Sequence, residues 1–278
     1  VAEYDGSPNE ISTIAFPTTE VIMDQLKYLK LKNEHGIAHL TLSRPKHNVL
    51  NIEMMNELNG LLEELLADDG LKCLIILGDG PSWSAGVDVG EHAPEKVDEM
   101  IASFNRIFEL LQRFEMPTIA AVHGRALGGG MEVAIGCDMI VASKSALFGQ
   151  PEVKLGFFPP YAAIRLPQLV GPSKAIEICC AGMTYTASEA YDMGMVSRLV
   201  DDGDLVEEVG RIASEMQACS PLIIRLNKRA VRQFQDRDFE GALSGVSDLF
   251  LNKLMKTEDT VEGIKSFYEK RRPVWKNR

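Results

Sequence analysis

At 278 residues and 30.7 kDa, with 45% apolar and 25% charged residues, the chain has the composition of a folded protein with room for a large core. A net charge of −11 excludes a surface built broadly for nucleic acid or anionic lipid, because phosphates would be repelled. The five cysteines are odd in number and contain no C-x-x-C pair, so they read as reduced core thiols and give neither a disulfide framework nor a zinc or other metal site.

Residues 1–24 hold Gly6, Pro8 and Pro17 without a sustained period and read as a tail. Val1 to Pro17 lacks the apolar and basic regions of a secretion signal, and no run approaches the roughly 20 apolar residues of a membrane span. The cytoplasm is the expected compartment. Tyr28–Lys32 and Ile37–Leu42 alternate around Glu34-His35-Gly36, the pattern of a β-hairpin. Apolar residues at 55, 58, 62, 65 and 66 predict a helix over 52–66. Cys73–Leu77 is an apolar run ending at Gly78, suited to a strand buried on both faces. Val97, Ile101, Phe104, Phe108 and Leu111 return to helical spacing and predict a helix over 97–114. Thr118–Val122 and Met139–Ala142 read as two more buried strands. Alternation of strand and helix predicts an α/β core over 25–200 built from right-handed crossovers. From Pro172 the pattern is helical, over 173–181, 187–193, 204–218, 221–235 and 238–256, so 201–278 is expected to be a helical C-terminal region.

Two glycine turns and two glutamates carry the chemistry. Ser84-Ala85-Gly86-Val87-Asp88 follows the strand at 73–77, where α/β proteins build sites. Taken in isolation, a plain surface turn capped by Asp88 is the favoured reading. Gly128-Gly129-Gly130 precedes a helix opening near Met131 and lets bare backbone N–H groups approach a ligand, though a tight connection also uses such a triplet. Two such turns can converge on one oxygen as an oxyanion hole. Glu132 and Glu152 could then move protons beside the polarised carbonyl. Leu155 to Ala163 is bulky and apolar, a wall that would desolvate Glu152 and raise its pKa. No histidine has ligand or triad spacing, and His123 reads as structural.

Assembled in order, these pieces resemble the crotonase (enoyl-CoA hydratase/isomerase) superfamily over about residues 27–275. The matches are Arg44-Pro45 with Asn48-Val49-Leu50, then Ser84 to Asp88, Gly124 with Ala126 to Glu132, and Phe148 to Val153 with Leu155-Gly156. Arg165-Leu166-Pro167, Val170-Gly171, Glu262-Gly263 and Glu269-Lys270-Arg271 complete the set. The resemblance implies a crotonase-like ββα superhelix core. It implies an oxyanion hole from the N–H groups of Val87 and Gly129, with Glu132 and Glu152 as the catalytic carboxylates of a hydratase. Ala85, Gly86, Asp88, Gly128 and Lys270 would bind the acyl-CoA thioester, with no separate cofactor, since CoA is part of the substrate. It also implies a homo-oligomer, a trimer or a dimer of trimers, with no nucleic-acid or membrane partner. An RNA-binding, non-catalytic relative is disfavoured by the charge and by the retained carboxylate pair. Where typical hydratases carry a glycine-rich stretch, this chain has Phe158-Pro159-Pro160-Tyr161-Ala162-Ala163-Ile164. Together with Glu91-His92-Ala93-Pro94 and Gly149-Gln150-Pro151-Glu152, that resembles the branch hydrating cyclohexa-1,5-diene-1-carbonyl-CoA in anaerobic aromatic degradation. A general 2-enoyl-CoA hydratase is the alternative. The terminal cations Lys265, Lys270, Arg271, Arg272, Lys276 and Arg278 face a single acid in that stretch, Glu269, and read either as a CoA-phosphate patch or as a solvated helix end.

Overall fold

The computed structural model describes residues 26–278; the expected tail over 1–24 lies outside them. The hairpin forms as β1 (Leu29–Glu34) and β2 (Ile37–Leu42), paired antiparallel from Leu29 opposite Leu42 to Glu34 opposite Ile37. Strands β3 (Cys73–Gly78) and β4 (Thr118–Val122) add in parallel beyond β2. A second, three-stranded sheet begins with β5 (Arg125–Leu127), which the sequence pattern does not reveal. The main sheet continues through β6 (Met139–Ser143), the small one through β7 (Leu147–Gly149) and β8 (Thr184–Thr186), and β9 (Arg198–Val200) closes the main sheet. Its strand order is β1-β2-β3-β4-β6-β9.

Strand periodicity of two explains why the central strands read as unbroken apolar runs. In β3, Leu74 and Ile76 face one cluster while Cys73 and Ile75 face another. In β4, Ala120 and Val122 divide from Ile119 and Ala121 in the same way. The larger cluster lies under α1 (Ile52–Leu66) and α2 (Val97–Arg113), which bury Met54, Leu58 and Leu62, and Phe104, Ile107 and Phe108. Asn51 starts α1 by accepting the Met54 N–H on its side-chain oxygen at 3.1 Å. The smaller cluster is covered by Leu205, Val209 and Ala213 of a later helix.

Between the sheets the chain bends at Gly124, whose φ is +58° and where a Cβ would fall 2.1 Å from Pro81 O, so only glycine fits. That bend peels β5 away from β4, and the glycine triplet therefore follows β5 and not β4. Helix α3 (Gly129–Gly136) starts inside the triplet. Helices α4 (Ala162–Val170), α5 (Pro172–Ala181) and α6 (Ala187–Asp192) follow, then α7 (Leu205–Gln217), α8 (Pro221–Arg232), α9 (Phe239–Asn252) and α10 (Glu258–Glu269). Helix α8 is anchored to the core by Lys228 and Arg232, which pair with the two oxygens of Asp138 at 2.6 and 2.7 Å. The helix expected over 238–256 stops at Asn252. Beyond it, the hydroxyls of Thr257 and Thr260 donate to Leu254 O at 2.9 and 2.8 Å and favour a separate 3₁₀ turn.

The cysteine reading holds in part. All five thiols are free and Cys73 and Cys137 are buried, but Cys180 and Cys219 are exposed and Cys179 is half-buried, so three are not core residues. Among the described residues, no helix is long and apolar enough to cross a membrane. Leu58 is fully buried between α1 and its neighbours. Leu58→Ala is expected to cost about 2–5 kcal/mol, read as a lowered denaturation midpoint with an unchanged m-value.

Candidate active site

The two glycine turns meet. Ser84 N–H donates to Arg125 O at 3.0 Å and Leu127 N–H to Ser84 O at 3.0 Å, which ties the 84–88 loop to β5. A Cβ on Gly86 would fall 3.2 Å from Leu127 O and 3.7 Å from Gly129 N. Behind the loop, Asn48 donates to Asp79 O, Ser82 O and Trp83 O, so the Asn48 of the sequence match buckles the turn from below.

Neither candidate oxyanion donor is consumed by regular structure. Leu50 and Val87 form a parallel bridge through Leu50 N–H to Gly86 O and Asp88 N–H to Leu50 O, both 2.8 Å, and the Val87 N–H takes no part in it. Gly129 is the first residue of α3, and first-turn N–H groups have no intrahelical acceptor. The two residues are in contact, because a Cβ on Gly129 would lie 2.6 Å from Val87 Cγ2.

Both glutamates reach this corner. Glu132 lies in the first turn of α3, is 2% exposed, and its Oε1 accepts the N–H groups of Tyr161 at 2.7 Å and Ala162 at 2.8 Å. Burial pushes its pKa up to about 8, with the nearby Glu152 adding to the rise and the two N–H groups opposing it. Glu152 sits in the 3₁₀ turn Pro151–Leu155, with its carboxyl against the Cα of Gly128, where a Cβ would be 2.7 Å from Oε1. Its pKa is pushed up to about 7, again by burial. The fully buried Gln150, with its amide nitrogen toward the glutamate, donates to Oε1 and Oε2 at 2.9 and 3.0 Å. Gln150 and the Tyr161–Ala162 turn went unassigned in the sequence reading. Backbone donors carry no residue signature, whereas Gln150 stands two residues before Glu152 and was within reach.

The Asp88 side chain caps the following 3₁₀ turn by accepting the Gly90 N–H at 3.0 Å and pairs with Arg44 at 3.5 Å, as the plain-turn reading had it. The backbone of Ala85 is held by its N–H bond to His47 O at 2.9 Å. His123 Nε2–H donates to Gly80 O at 2.8 Å, a structural bond. The apolar wall is only partly one: Phe158 and Ile164 are 73% and 66% exposed, while Ala162 is buried and Tyr161 stacks flat on Phe108. Lys270 ends α10 in the left-handed region, on a helix packed against α8, and no contact joins it to the glutamates within the described residues. Most of the other terminal cations are paired: Lys265 with Glu269, Arg271 with Glu262 and Glu269, Lys276 and Arg278 with Glu258.

The sequence model of the family described as Enoyl-CoA hydratase/isomerase matches residues 32–278. A Crotonyl-CoA hydratase of Syntrophomonas wolfei is 36% identical over 248 residues, covering 87% of this chain and 95% of that protein. A Cyclohexa-1,5-dienecarbonyl-CoA hydratase of Thauera aromatica is 31% identical over 254 residues, 89% of this chain and 96% of that protein. Among solved structures, DspI of Pseudomonas aeruginosa superposes with a TM-score of 0.85 at 31% identity, covering 91% of this chain and 98% of that one.

The raised pKa of Glu132 has a consequence for stability. A carboxyl whose folded pKa lies above its unfolded value stabilises the fold fully at low pH, and that contribution is lost as pH rises through the folded value, here about 8. Glu132→Gln is therefore expected to melt higher than the parent at about pH 9 and to lose that advantage near pH 4, in paired thermal scans.

Proposed function

This chain belongs to the enoyl-CoA hydratase/isomerase family, and we propose that it adds water across the conjugated double bond of an enoyl-CoA thioester. One observation carries the reading: the buried carboxyl of Glu132 and the half-buried carboxyl of Glu152, which lies against Gly128, interact beside two adjacent backbone N–H groups that regular structure leaves free. In this mechanism one glutamate takes a proton from water as the oxygen bonds to the β-carbon. The electron pair of the double bond moves toward the thioester oxygen, held by the Val87 and Gly129 N–H groups. The other carboxyl then gives its proton to carbon and the carbonyl reforms. Hydrogen bonds that strengthen on a developing oxyanion contribute about 3–4 kcal/mol each.

For the acyl group we propose a cyclic dienoyl thioester, cyclohexa-1,5-diene-1-carbonyl-CoA, hydrated to the 6-hydroxycyclohex-1-ene product. Negative charge would spread to a distal ring carbon and be protonated there. The support is Pro159-Pro160-Tyr161-Ala162 in place of a glycine-rich stretch, a stiff turn immediately beside Glu132. A short straight-chain enoyl-CoA is the second reading, supported by the 36% identity to a crotonyl-CoA hydratase. Assay of both thioesters with product identification separates them: the ring reading expects a higher kcat/KM on the dienoyl-CoA, and preference for crotonyl-CoA overturns it.

A pair of carboxyls near pKa 7 and 8 works when it holds one proton between them. Turnover should then fall at low pH, with both protonated, and at high pH, with both ionised. Glu132→Gln and Glu152→Gln are each expected to lower kcat by about 100-fold or more with little change in KM. Near-parental turnover in either would remove that residue from the mechanism.

We further propose a trimer or a dimer of trimers, supported by the exposed apolar residues of α9 and α10, among them Phe239, Phe250, Phe267 and Tyr268. Lys270 and Arg272 make no ion pair among the described residues, and the proposal assigns them to the CoA phosphates of a neighbouring protomer. Sedimentation is expected to give a multiple of three chains. A stable species of about 31 kDa would contradict the assembly.

A further inference from the structure

Helix α2 presents Phe104, Phe108 and Gln112 at intervals of four residues, so the three share one face. That face joins parts of the site that are distant in sequence. The Phe104 ring abuts Gly129, where a Cβ would fall 3.0 Å from Cζ. Phe108 meets Phe104 edge-on at 4.8 Å between centroids and also packs on Gly136, one turn beyond Glu132 on α3. Tyr161 lies flat on Phe108, centroids 3.8 Å apart and planes within 5°, and its hydroxyl accepts a hydrogen bond from Gln112 Nε2 at 3.3 Å.

The turn that bears this ring is also the turn that holds Glu132, through the Tyr161 and Ala162 N–H groups. Helix α4 has no side-chain cap at its start, so no local side-chain bond fixes the direction of these donors. We propose that Tyr161 is a positioning residue for Glu132: its ring, seated on Phe108, fixes the 161–162 turn so that both N–H groups stay on the Glu132 carboxyl. The same aromatic column reaches Gly129, so one face of α2 sets the spacing between the glycine N–H and the glutamate. This deepens the hydratase reading and rests on it for its kinetic arm alone. The competing account is that the stack adds stability and nothing else.

The two accounts differ in what happens to Glu132. Its titratable neighbours are Glu152 from the 151–155 turn, Tyr161 itself and Cys179 from α5. Both backbone donors favour the ionised form, so loosening them should move the Glu132 titration upward from about 8. The test is carboxyl ¹³C NMR of glutamate-labelled protein, with the Glu132→Gln spectrum assigning the resonance. Tyr161→Leu and Phe108→Leu are expected to raise the Glu132 titration and to lower kcat about tenfold, with KM within about twofold. Tyr161→Phe, which restores the ring without the hydroxyl, should bring the titration back to the parent value. A folded Tyr161→Leu protein with a lower melting temperature but an unmoved Glu132 titration would overturn the proposal. Should Phe108→Leu fail to fold, the half-buried Tyr161 side chain carries the test. Absence of enoyl-CoA turnover in the parent would sink the hydratase reading while leaving the NMR comparison intact.

Discussion

The carboxyl of Glu152 occupies space that any side chain on Gly128 would need, since a Cβ there would stand 2.7 Å from its Oε1. The next two positions are closed for other reasons. A Cβ on Gly129 would strike Val87 and Phe104, and one on Gly130 would lie 2.5 Å from Ser84 O. Three successive residues are thus bare because three elements press on them: the 151–155 turn on Gly128, α2 on Gly129, and the 84–88 loop on Gly129 and Gly130. Other features serve that approach. The bend at Gly124 sends β5 out of the main sheet, the Ser84–Ala126 bridge draws the first loop onto it, and Asn48 braces that loop from behind. A positive φ of 53° at Gly128 then turns the chain so that α3 opens toward the same corner.

Packing backbone this tightly around two acids strips them of part of their solvent, and that has an electrostatic consequence. An isolated carboxylate without partners would not stay charged in such a place. Here each acid is given donors: two backbone N–H groups on Glu132, and the amide of Gln150 on Glu152. The donors offset part of the desolvation and not all of it, so both pKa values stand well above the usual carboxylate range. The charge on Glu152 also raises the cost of ionising Glu132, which makes the pair prone to hold a single proton near neutrality. A group poised that way can give or take a proton with a small driving force.

The sequence revealed those parts of the molecule whose physics is local. Helices over 52–66 and 97–113 show their period directly, the strand over 118–122 shows as an unbroken apolar run, and the two glycine turns and two glutamates are recognisable as residue types. Strands β5, β7, β8 and β9 were missed because each is three residues long, too short to display alternation. Helix α4 was hidden by Pro159 and Pro160 before it and Pro167 inside it, and its bulky residues read as a wall. Only the fold shows that Phe158 turns outward while the backbone three residues later turns inward to Glu132. For Asp88 the sequence left two roles, a turn cap and, by the family resemblance, a ligand contact; the fold shows the cap, through the Gly90 N–H.

The C-terminal cations show how a linear charge pattern can mislead. Within residues 265–278 the lone acid is Glu269, so the stretch looks like a positive patch available to phosphate. The fold returns counter-charges that the count omits. The tail runs back along α10, where Asp259 accepts the N–H groups of Lys276 and Asn277 and the hydroxyl of Ser220, and Trp275 donates to Ala218 O at 2.7 Å. That path carries Arg271 onto Glu262, and Lys276 and Arg278 onto Glu258, so most of the apparent patch is neutralised within a few ångströms. Lys270 escapes because it sits at the left-handed end of α10, where a cation already complements the helix dipole. An anion reaching this surface therefore meets two isolated charges and not six, and at ordinary ionic strength two charges attract over about 8–10 Å and no farther. Any hold on an anionic thioester by a chain this acidic has to rest on close contact and not on a long-range field.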